Sequence, residues 1–239
     1  MALSVTSGPI ERARLAILSR APEAGRSKTR LAAVIGNDAA AQLAEAFLLD
    51  ITTVLRSSAN WTTTLFVEPA SAIDRMRQLT GINDVQAQSA GSIGARMAGA
   101  VEASITAGAE RVIVVGSDIP TLGPEHIRAA LDTLHDHDVV FGPARDGGYY
   151  LLGLGPELLI TSRYVALFND AAVHWSTATV LAESEAIADD QGFTRARLTG
   201  ALDVDTAADL ASLREELAVL PDTRAAQTRA ALTRWMEMG

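Results

Sequence analysis

Segments typical of buried β-strands alternate with amphipathic helical segments along almost the whole chain. "LAILS" and "VIVVG" are short, nearly continuous apolar runs, as expected for parallel strands that helices cover on both faces. Residues 37–58 and 176–192 are two of the segments that we predict to be helical. This alternation predicts a three-layer α/β/α fold with a mostly parallel central sheet.

The length and composition favour one main domain. The chain has 239 residues, of which 48% are hydrophobic, enough for one sizeable core. We find no repeat or low-complexity linker, and the one soft boundary lies near Pro221. We therefore predict a single domain over residues 1–220 and a C-terminal helical tail over residues 221–239. The tail is expected to pack on the domain or, in a homo-oligomer, on a neighbouring subunit.

Charge and cysteine content exclude several classes of function. The net charge is −9, so no general basic surface indicates nucleic-acid binding. The absence of cysteine excludes disulfides, thiolate nucleophiles and cysteine metal sites, and fits a reducing compartment. No apolar run is long enough for a signal-peptide core or a membrane span. We expect a cytoplasmic protein that is not inserted in a membrane.

A cluster of basic residues follows the first predicted strand. In open α/β sheets, ligands bind beyond the carboxyl ends of the strands, and this loop takes that position. It contains Arg20, Gly25, Arg26, Lys28 and Arg30. Backbone N–H groups near a glycine, together with lysine and arginine side chains, suit the phosphate groups of a ligand. The alternative is a solvated basic loop, and the spacing does not match a P-loop.

Acidic residues follow two further predicted strands. Asp118, preceded by Ser117, ends the clearest strand, where it either holds Mg²⁺ or caps the turn before the next helix. "DGG", which contains Asp146, Gly147 and Gly148, either lets a ligand approach the main chain or makes a plain hairpin turn.

A late pair of acids completes the candidate site. Asp203 and Asp205 are two residues apart, so in an extended segment both side chains lie on one face. The pair either joins Asp118 in a metal site or, in the case of Asp205, caps the helix that follows.

Four motifs in this order resemble the nucleotide-diphospho-sugar transferase superfamily with the GT-A fold: "SRAPEAGRSKTRL", "GSDIPTL", "DGGYYLLGL" and "DVDTAADL". The chain is similar to a bacterial branch of glycosyltransferase-like proteins within it. More distantly it is similar to phospholactate guanylyltransferase, which shares the string Lys28–Leu31. The resemblance runs from about Arg14 to Leu210.

The resemblance implies roles for individual residues. Lys28 and Arg30 would contact nucleotide phosphates, and Arg96 would lie near the nucleotide. Asp118 would be the first ligand of Mg²⁺ or Mn²⁺, and Asp203 or Asp205 the second. Gly147 and Gly148 would line the acceptor side, and we place Ser117 among the nucleotide-binding residues. The chain departs from the pattern twice, because Arg145 replaces the acid usual in that branch and Gly116 replaces the first acid of a common two-acid motif.

Three functions fit these residues. In nucleotidyl transfer, a phosphorylated small molecule attacks a nucleoside triphosphate, and Lys28 and Asp118 supply positioning and charge neutralisation. In glycosyl transfer from a nucleotide sugar, Asp146 would be the base near the acceptor. The third function is non-catalytic nucleotide binding. We favour a metal-dependent transferase whose partners are a nucleotide and a small-molecule acceptor, and we lean to nucleotidyl transfer because of the basic loop.

Overall fold

A computed structural model describes residues 12–56, 60–169 and 171–238. The predicted helix over residues 37–58 therefore ends outside the described residues, as do the first eleven residues of the predicted domain. The strands are β1 (Ala13–Arg20), β2 (Trp61–Glu68), β3 (Val85–Ala87), β4 (Arg111–Gly116), β5 (Val139–Pro143), β6 (Tyr149–Leu154) and β7 (Arg195–Arg197). The helices are α1 (Thr29–Ile35), α2 (Asn37–Arg56), α3 (Ile73–Thr80), α4 (Ile93–Thr106), α5 (Pro124–Thr133), α6 (Pro156–Ile160), α7 (Val180–Asp190), α8 (Ala207–Val219) and α9 (Ala226–Met238).

The described strands form one seven-stranded sheet in the order β3-β2-β1-β4-β6-β5-β7. Pairing is parallel except that β6 runs antiparallel to both of its neighbours, β4 and β5. The carboxyl ends of β1 to β5 and of β7 consequently lie at the same edge of the sheet. The turn that leads into β6 also lies there, so every candidate loop reaches this edge.

Side chains of each central strand alternate between two cores. In β1, Leu15 and Ile17 pack under α2, α3 and α5, whereas Ala16 and Leu18 pack under α4, α6 and α7. This period-two alternation is what a strand buried on both faces requires. The two helical layers around one sheet confirm the predicted three-layer α/β/α fold.

A third core lies beside the sheet, where α1, α2, α8 and α9 meet. Leu43 and Phe47 of α2 pack there with Leu213 of α8 and Leu232 of α9. The first turn of α9 is fixed by Asp50, whose carboxylate accepts hydrogen bonds from the backbone N–H groups of Gln227 (2.9 Å) and Thr228 (2.8 Å). Helix α9 thus packs on this chain's own α2.

One helix start is wrong in the sequence-based prediction. Helix α7 begins at Val180 and not near Ser176, whose φ of 65° lies in the left-handed region. The Thr177 hydroxyl donates to the His174 carbonyl (2.7 Å), and the Thr179 hydroxyl donates to Glu183 (2.8 Å). These local side-chain bonds stabilise a loop in place of the first helical turn. Among the described residues, no helix combines the length and apolar character needed to cross a membrane.

Candidate active site

A cavity of about 420 Å³ opens at the carboxyl edge of the sheet, between the β1–α1 loop and the end of β4. Of the predicted site residues it is lined by Arg20, Arg26, Lys28, Arg30, Arg96, Ser117, Asp118 and Asp205. The basic loop and the strand-end acid therefore face one another across a shared space, as the strand-end rule predicts.

Lys28 connects the basic loop to the acids. It precedes α1 in a left-handed conformation, with φ 47° and ψ 48°. That conformation costs a non-glycine residue about 1 kcal/mol. Its Nζ atom lies 2.8 Å from Oδ1 of Asp118 and 2.8 Å from Oδ1 of Asp205, and only 5% of the side chain is exposed. Burial alone would lower the pKa of Lys28, but the charges of Asp118 and Asp205 outweigh it and raise the pKa above its ordinary value. The ammonium is therefore charged.

Three carboxylates lie together at this end of the cavity. Asp118, Asp203 and Asp205 each offer an oxygen atom, and these atoms lie within 4.8 Å of one another. The backbone N–H of Val204 donates to the carbonyl of Asp118 (3.2 Å), which fixes the two segments side by side. The structure therefore brings the segment of Asp118 and the segment of Asp203 and Asp205 together.

Asp203 is the most unusual of the three acids. Its Oδ1 atom is buried and accepts no hydrogen bond from the described residues. Burial, followed by the charge of Asp118, raises the pKa of Asp203 to about 7. An orphaned carboxylate oxygen is costly unless a cation or donor reaches it.

The donor set fits a hard divalent cation. Three carboxylates, one with an orphaned oxygen, are the ligand type that Mg²⁺ and Mn²⁺ prefer. The Lys28 ammonium is the cationic partner of two of these acids in this structure. The assignment of Asp118, Asp203 and Asp205 as metal ligands stays a prediction.

The "DGG" segment makes the hairpin turn between β5 and β6. Asp146 accepts a hydrogen bond from the backbone N–H of Gly148 (2.9 Å), and its charge contributes to the raised pKa of Asp203. A Cβ atom on Gly147 would lie 2.1 Å from the carbonyl oxygen of Ala178. This close packing and a φ of 91° both favour glycine here. The roles given to Asp146, Gly147, Gly148 and Gly25 in catalysis or binding stay predictions, and none of the four lines the cavity.

Sequence reasoning missed three residues that line the far end of the cavity, namely Glu68, Gln88 and Ile93. Glu68 is the last residue of β2, and Gln88 follows β3. Both therefore lie at the carboxyl ends of strands, where ligands bind in open α/β sheets, and this position is the signal that points to them.

Comparisons with known proteins agree with this architecture. The family model described as "Uncharacterized protein conserved in bacteria (DUF2064)" matches residues 49–177, more than half of the chain. A curated protein of Phenylobacterium zucineum (strain HLK1), 3-phospho-D-glycerate guanylyltransferase, is 31% identical over 144 residues. That alignment covers 59% of this chain and 66% of the relative, so the chain spans slightly less than two thirds of that relative's length.

Solved structures extend the comparison to nearly the whole chain. A crystal structure from Desulfovibrio desulfuricans G20, assigned as a nucleotide-diphospho-sugar transferase, is 29% identical with a TM-score of 0.85, covering 94% of this chain and 95% of that one. A cytidylyltransferase from Leptospira borgpetersenii serovar Hardjo-bovis (strain JB197) is 13% identical with a TM-score of 0.58, covering 94% of each chain, and shows the fold alone. The predicted superfamily fold is confirmed, and the prediction of a transferase is supported.

Proposed function

Since the chain belongs to the bacterial family whose model it matches over residues 49–177, we propose that it is a nucleotidyltransferase of that family. It transfers a nucleoside monophosphate from a nucleoside triphosphate to a phosphorylated small molecule, with a divalent cation, and releases pyrophosphate. The observation that carries this proposal is the pairing of Lys28 with Asp118 and Asp205 in a cavity that the arginines of the basic loop also line.

The basic residues and the acidic residues of the site have different roles in the transfer. Arg26, Lys28 and Arg30 bind the triphosphate oxygens, where forked and point charges both suit phosphate. Asp118, Asp203 and Asp205 would hold the cation, which supplies neutralisation of charge on the phosphates when bound.

The reaction balances without a general base. An oxygen of the acceptor phosphate forms a bond to the α-phosphorus, and the bond from that phosphorus to the oxygen bridging to the β-phosphate breaks. Pyrophosphate leaves with that electron pair. A phosphate monoester is largely ionised at pH 7, so it attacks without losing a proton to the protein. What remains for the protein is positioning and electrostatic stabilisation, which the basic loop and the acids are suited to supply.

The similar proteins support nucleotidyl transfer to a phosphorylated acceptor. The curated relative is named as a guanylyltransferase whose acceptor is 3-phospho-D-glycerate, a small phosphorylated acid. We carry over the class of reaction and of acceptor, and we propose phosphorylated carboxylic acids as the first acceptors to test.

Glycosyl transfer from a nucleotide sugar is the second candidate. It is favoured by the similarity, at 29% identity, to a protein assigned as a nucleotide-diphospho-sugar transferase. This reaction needs a base near an acceptor hydroxyl. Asp146 is the candidate, although its carboxylate accepts a hydrogen bond within the hairpin turn.

One assay separates the two candidates. The protein is incubated with Mg²⁺, each of the four common triphosphates and a panel of phosphorylated acids that includes 3-phosphoglycerate, and pyrophosphate is measured. We expect acceptor-dependent pyrophosphate release, abolished in Asp118→Asn and retained in Asp136→Asn, an exposed acid outside the cavity. Release of a nucleoside diphosphate from a nucleotide sugar, with no pyrophosphate from any triphosphate, would overturn the proposal.

A further inference from the structure

The far end of the cavity is lined by Glu68, Gln88 and Ile93. Its distance from the acid cluster of Asp118, Asp203 and Asp205 is about the length of one nucleoside. Strand ends follow one another in the order β4, β1, β2, β3. Neighbouring strands are spaced about 4.8 Å apart, so the ends of β4 and β2 are separated by roughly 10 Å. A nucleotide that lies along this edge with its phosphates on the basic loop would reach Glu68 at the end of β2 and Gln88 beyond β3 with its base.

Glu68 provides a hydrogen-bond acceptor at the far end of the cavity. Its Oε2 atom contacts Arg96 and lies 3.7 Å from Nη2 of Arg20, whereas Oε1 takes part in neither contact. The side chain is 36% exposed and lines the cavity. The hydrogen bond from Arg96 lowers the pKa of Glu68, so the carboxylate is ionised and can only accept hydrogen bonds.

Gln88 and Ile93 line the cavity beside Glu68. The amide nitrogen of Gln88 donates to the carbonyls of Ser19 (2.9 Å) and Phe66 (3.0 Å), which leaves its oxygen on the side of Arg96 at 3.4 Å. Ile93 also lines the cavity and is 40% exposed, an apolar surface that suits the face of a ring.

We propose that Glu68 reads the base of the nucleotide and selects guanine. Of the four common bases, guanine alone has two adjacent N–H donors, at N1 and on the exocyclic amino group, which match Oε1 and the second lone pair of Oε2 beside the bond from Arg96. Adenine and cytosine place an unprotonated ring nitrogen beside the amino group, and uracil has a single N–H between two carbonyls. This inference rests on the proposed function, because it names the nucleotide that the same site takes.

Binding of nucleotides tests the proposal without turnover. Titration calorimetry with Mg²⁺ and no acceptor compares GTP, ITP, which lacks the exocyclic amino group, and ATP. We expect GTP to bind about tenfold more tightly than ITP and about a hundredfold more tightly than ATP, because buried groups left unpaired weaken binding by these factors.

Glu68→Gln gives the decisive variant. Its amide places an acceptor beside a donor and so matches adenine, and the ratio of GTP to ATP affinity should fall about tenfold or more. Binding of inorganic tripolyphosphate, which has no base, should stay within about twofold of the parent if the arginines keep their positions. Glu110→Gln, at an exposed acid outside the cavity, should leave all affinities unchanged.

Other results overturn the proposal. If Glu68→Gln weakens every triphosphate and tripolyphosphate equally, Glu68 only positions Arg20 and Arg96. If the parent protein binds GTP, ITP and ATP equally, base reading by Glu68 is wrong even though the proposed function stands, and this result does not depend on the variant folding. If the parent binds no triphosphate at all, both the proposed function and this inference fail.

Discussion

The ammonium of Lys28 lies 2.8 Å from the carboxylate of Asp118, and both side chains line the cavity beyond the sheet. The same Nζ atom lies 2.8 Å from Asp205, so one buried cation neutralises two of the three acids that are proposed to hold a metal. The charge of this cluster in the metal-free protein therefore depends on Lys28.

Replacement of Lys28 by methionine should make the stability of the fold depend more strongly on Mg²⁺. Loss of the ammonium leaves Asp118 and Asp205 without their cationic partner, and we expect a loss of about 1–2 kcal/mol in the free energy of unfolding without metal. This loss of stability is smaller than for a fully buried ion pair, because the side chains of Asp118 and Asp205 are 47% and 42% exposed. Mg²⁺ should raise the Tm of Lys28→Met more than that of the parent, because a ligand that binds only the folded state stabilises it.

The control for this prediction is Arg77→Met. Arg77 lies 2.6 Å from Asp74 in an exposed ion pair outside the cavity. Its replacement should leave the Mg²⁺ shift of the parent unchanged. An equal Mg²⁺ shift in the parent and in Lys28→Met would contradict the role given to Lys28.

Asp203 should make stability fall as the pH rises. Its pKa is about 7 in the folded protein, above the ordinary value of 3.8, so the folded state binds more protons than the unfolded state between these values. Stability linked to this group is therefore present at low pH and is lost up to about pH 7. In EDTA, Asp203→Asn should gain about 2 kcal/mol relative to the parent between pH 5 and pH 7, and little above that. A difference in urea unfolding that does not change with pH would contradict the raised pKa.

Substitution of two glycines by alanine should distinguish the cost of backbone strain from the cost of close packing. Gly147 and Gly36 have similar φ angles of 91° and 87°, but a Cβ atom on Gly36 meets nothing within 4 Å. Gly36→Ala should cost roughly 1–3 kcal/mol through strain alone, because its φ of 87° and ψ of 157° lie in a region that essentially only glycine adopts. Gly147→Ala should cost about 3 kcal/mol or more in urea unfolding, because its Cβ also meets the Ala178 carbonyl. Equal costs would mean that packing does not explain Gly147.

Asp50 should hold the C-terminal helix to the domain. It is 7% exposed and accepts hydrogen bonds from the backbone of Gln227 and Thr228 and from the Thr228 hydroxyl. Asp50→Ala should lower the free energy of unfolding by about 2 kcal/mol, because the first turn of α9 loses its cap and buried donors lose their partner. Asp74→Ala, at an exposed acid in the first turn of α3, is the control and should cost far less. Equal free energies of unfolding in urea for the two variants would contradict the role given to Asp50 in holding α9.

Much of the fold follows from local patterns in the sequence. The period-two burial in "LAILS" and "VIVVG" indicates strands with two buried faces, and the strand-end rule then brings Asp118 and the basic loop to one edge. The extended spacing of Asp203 and Asp205 indicates a shared face, which the acid cluster bears out. These features depend on short stretches of chain and on a general rule of sheet topology.

Other features depend on tertiary contacts that no local pattern contains. The sequence predicts Lys28 as a phosphate contact, and its pairing with Asp205, 177 residues away, depends on the register between distant segments. The loop before α7 is set by hydrogen bonds of Thr177 and Thr179 that compete with helix formation. The orphaned oxygen of Asp203 depends on packing around it.

The ³¹P NMR spectrum of a reaction mixture tests nucleotidyl transfer most directly. The sample holds the protein, GTP, Mg²⁺ and a phosphorylated acid such as 3-phosphoglycerate, and it is compared with the same mixture containing Asp118→Asn. We expect equal amounts of pyrophosphate and of a new diphosphate that links the nucleoside to the acceptor, both absent with Asp118→Asn. No pyrophosphate across the panel of triphosphates and acceptors, with release of a nucleoside diphosphate when a nucleotide sugar is supplied, would contradict it.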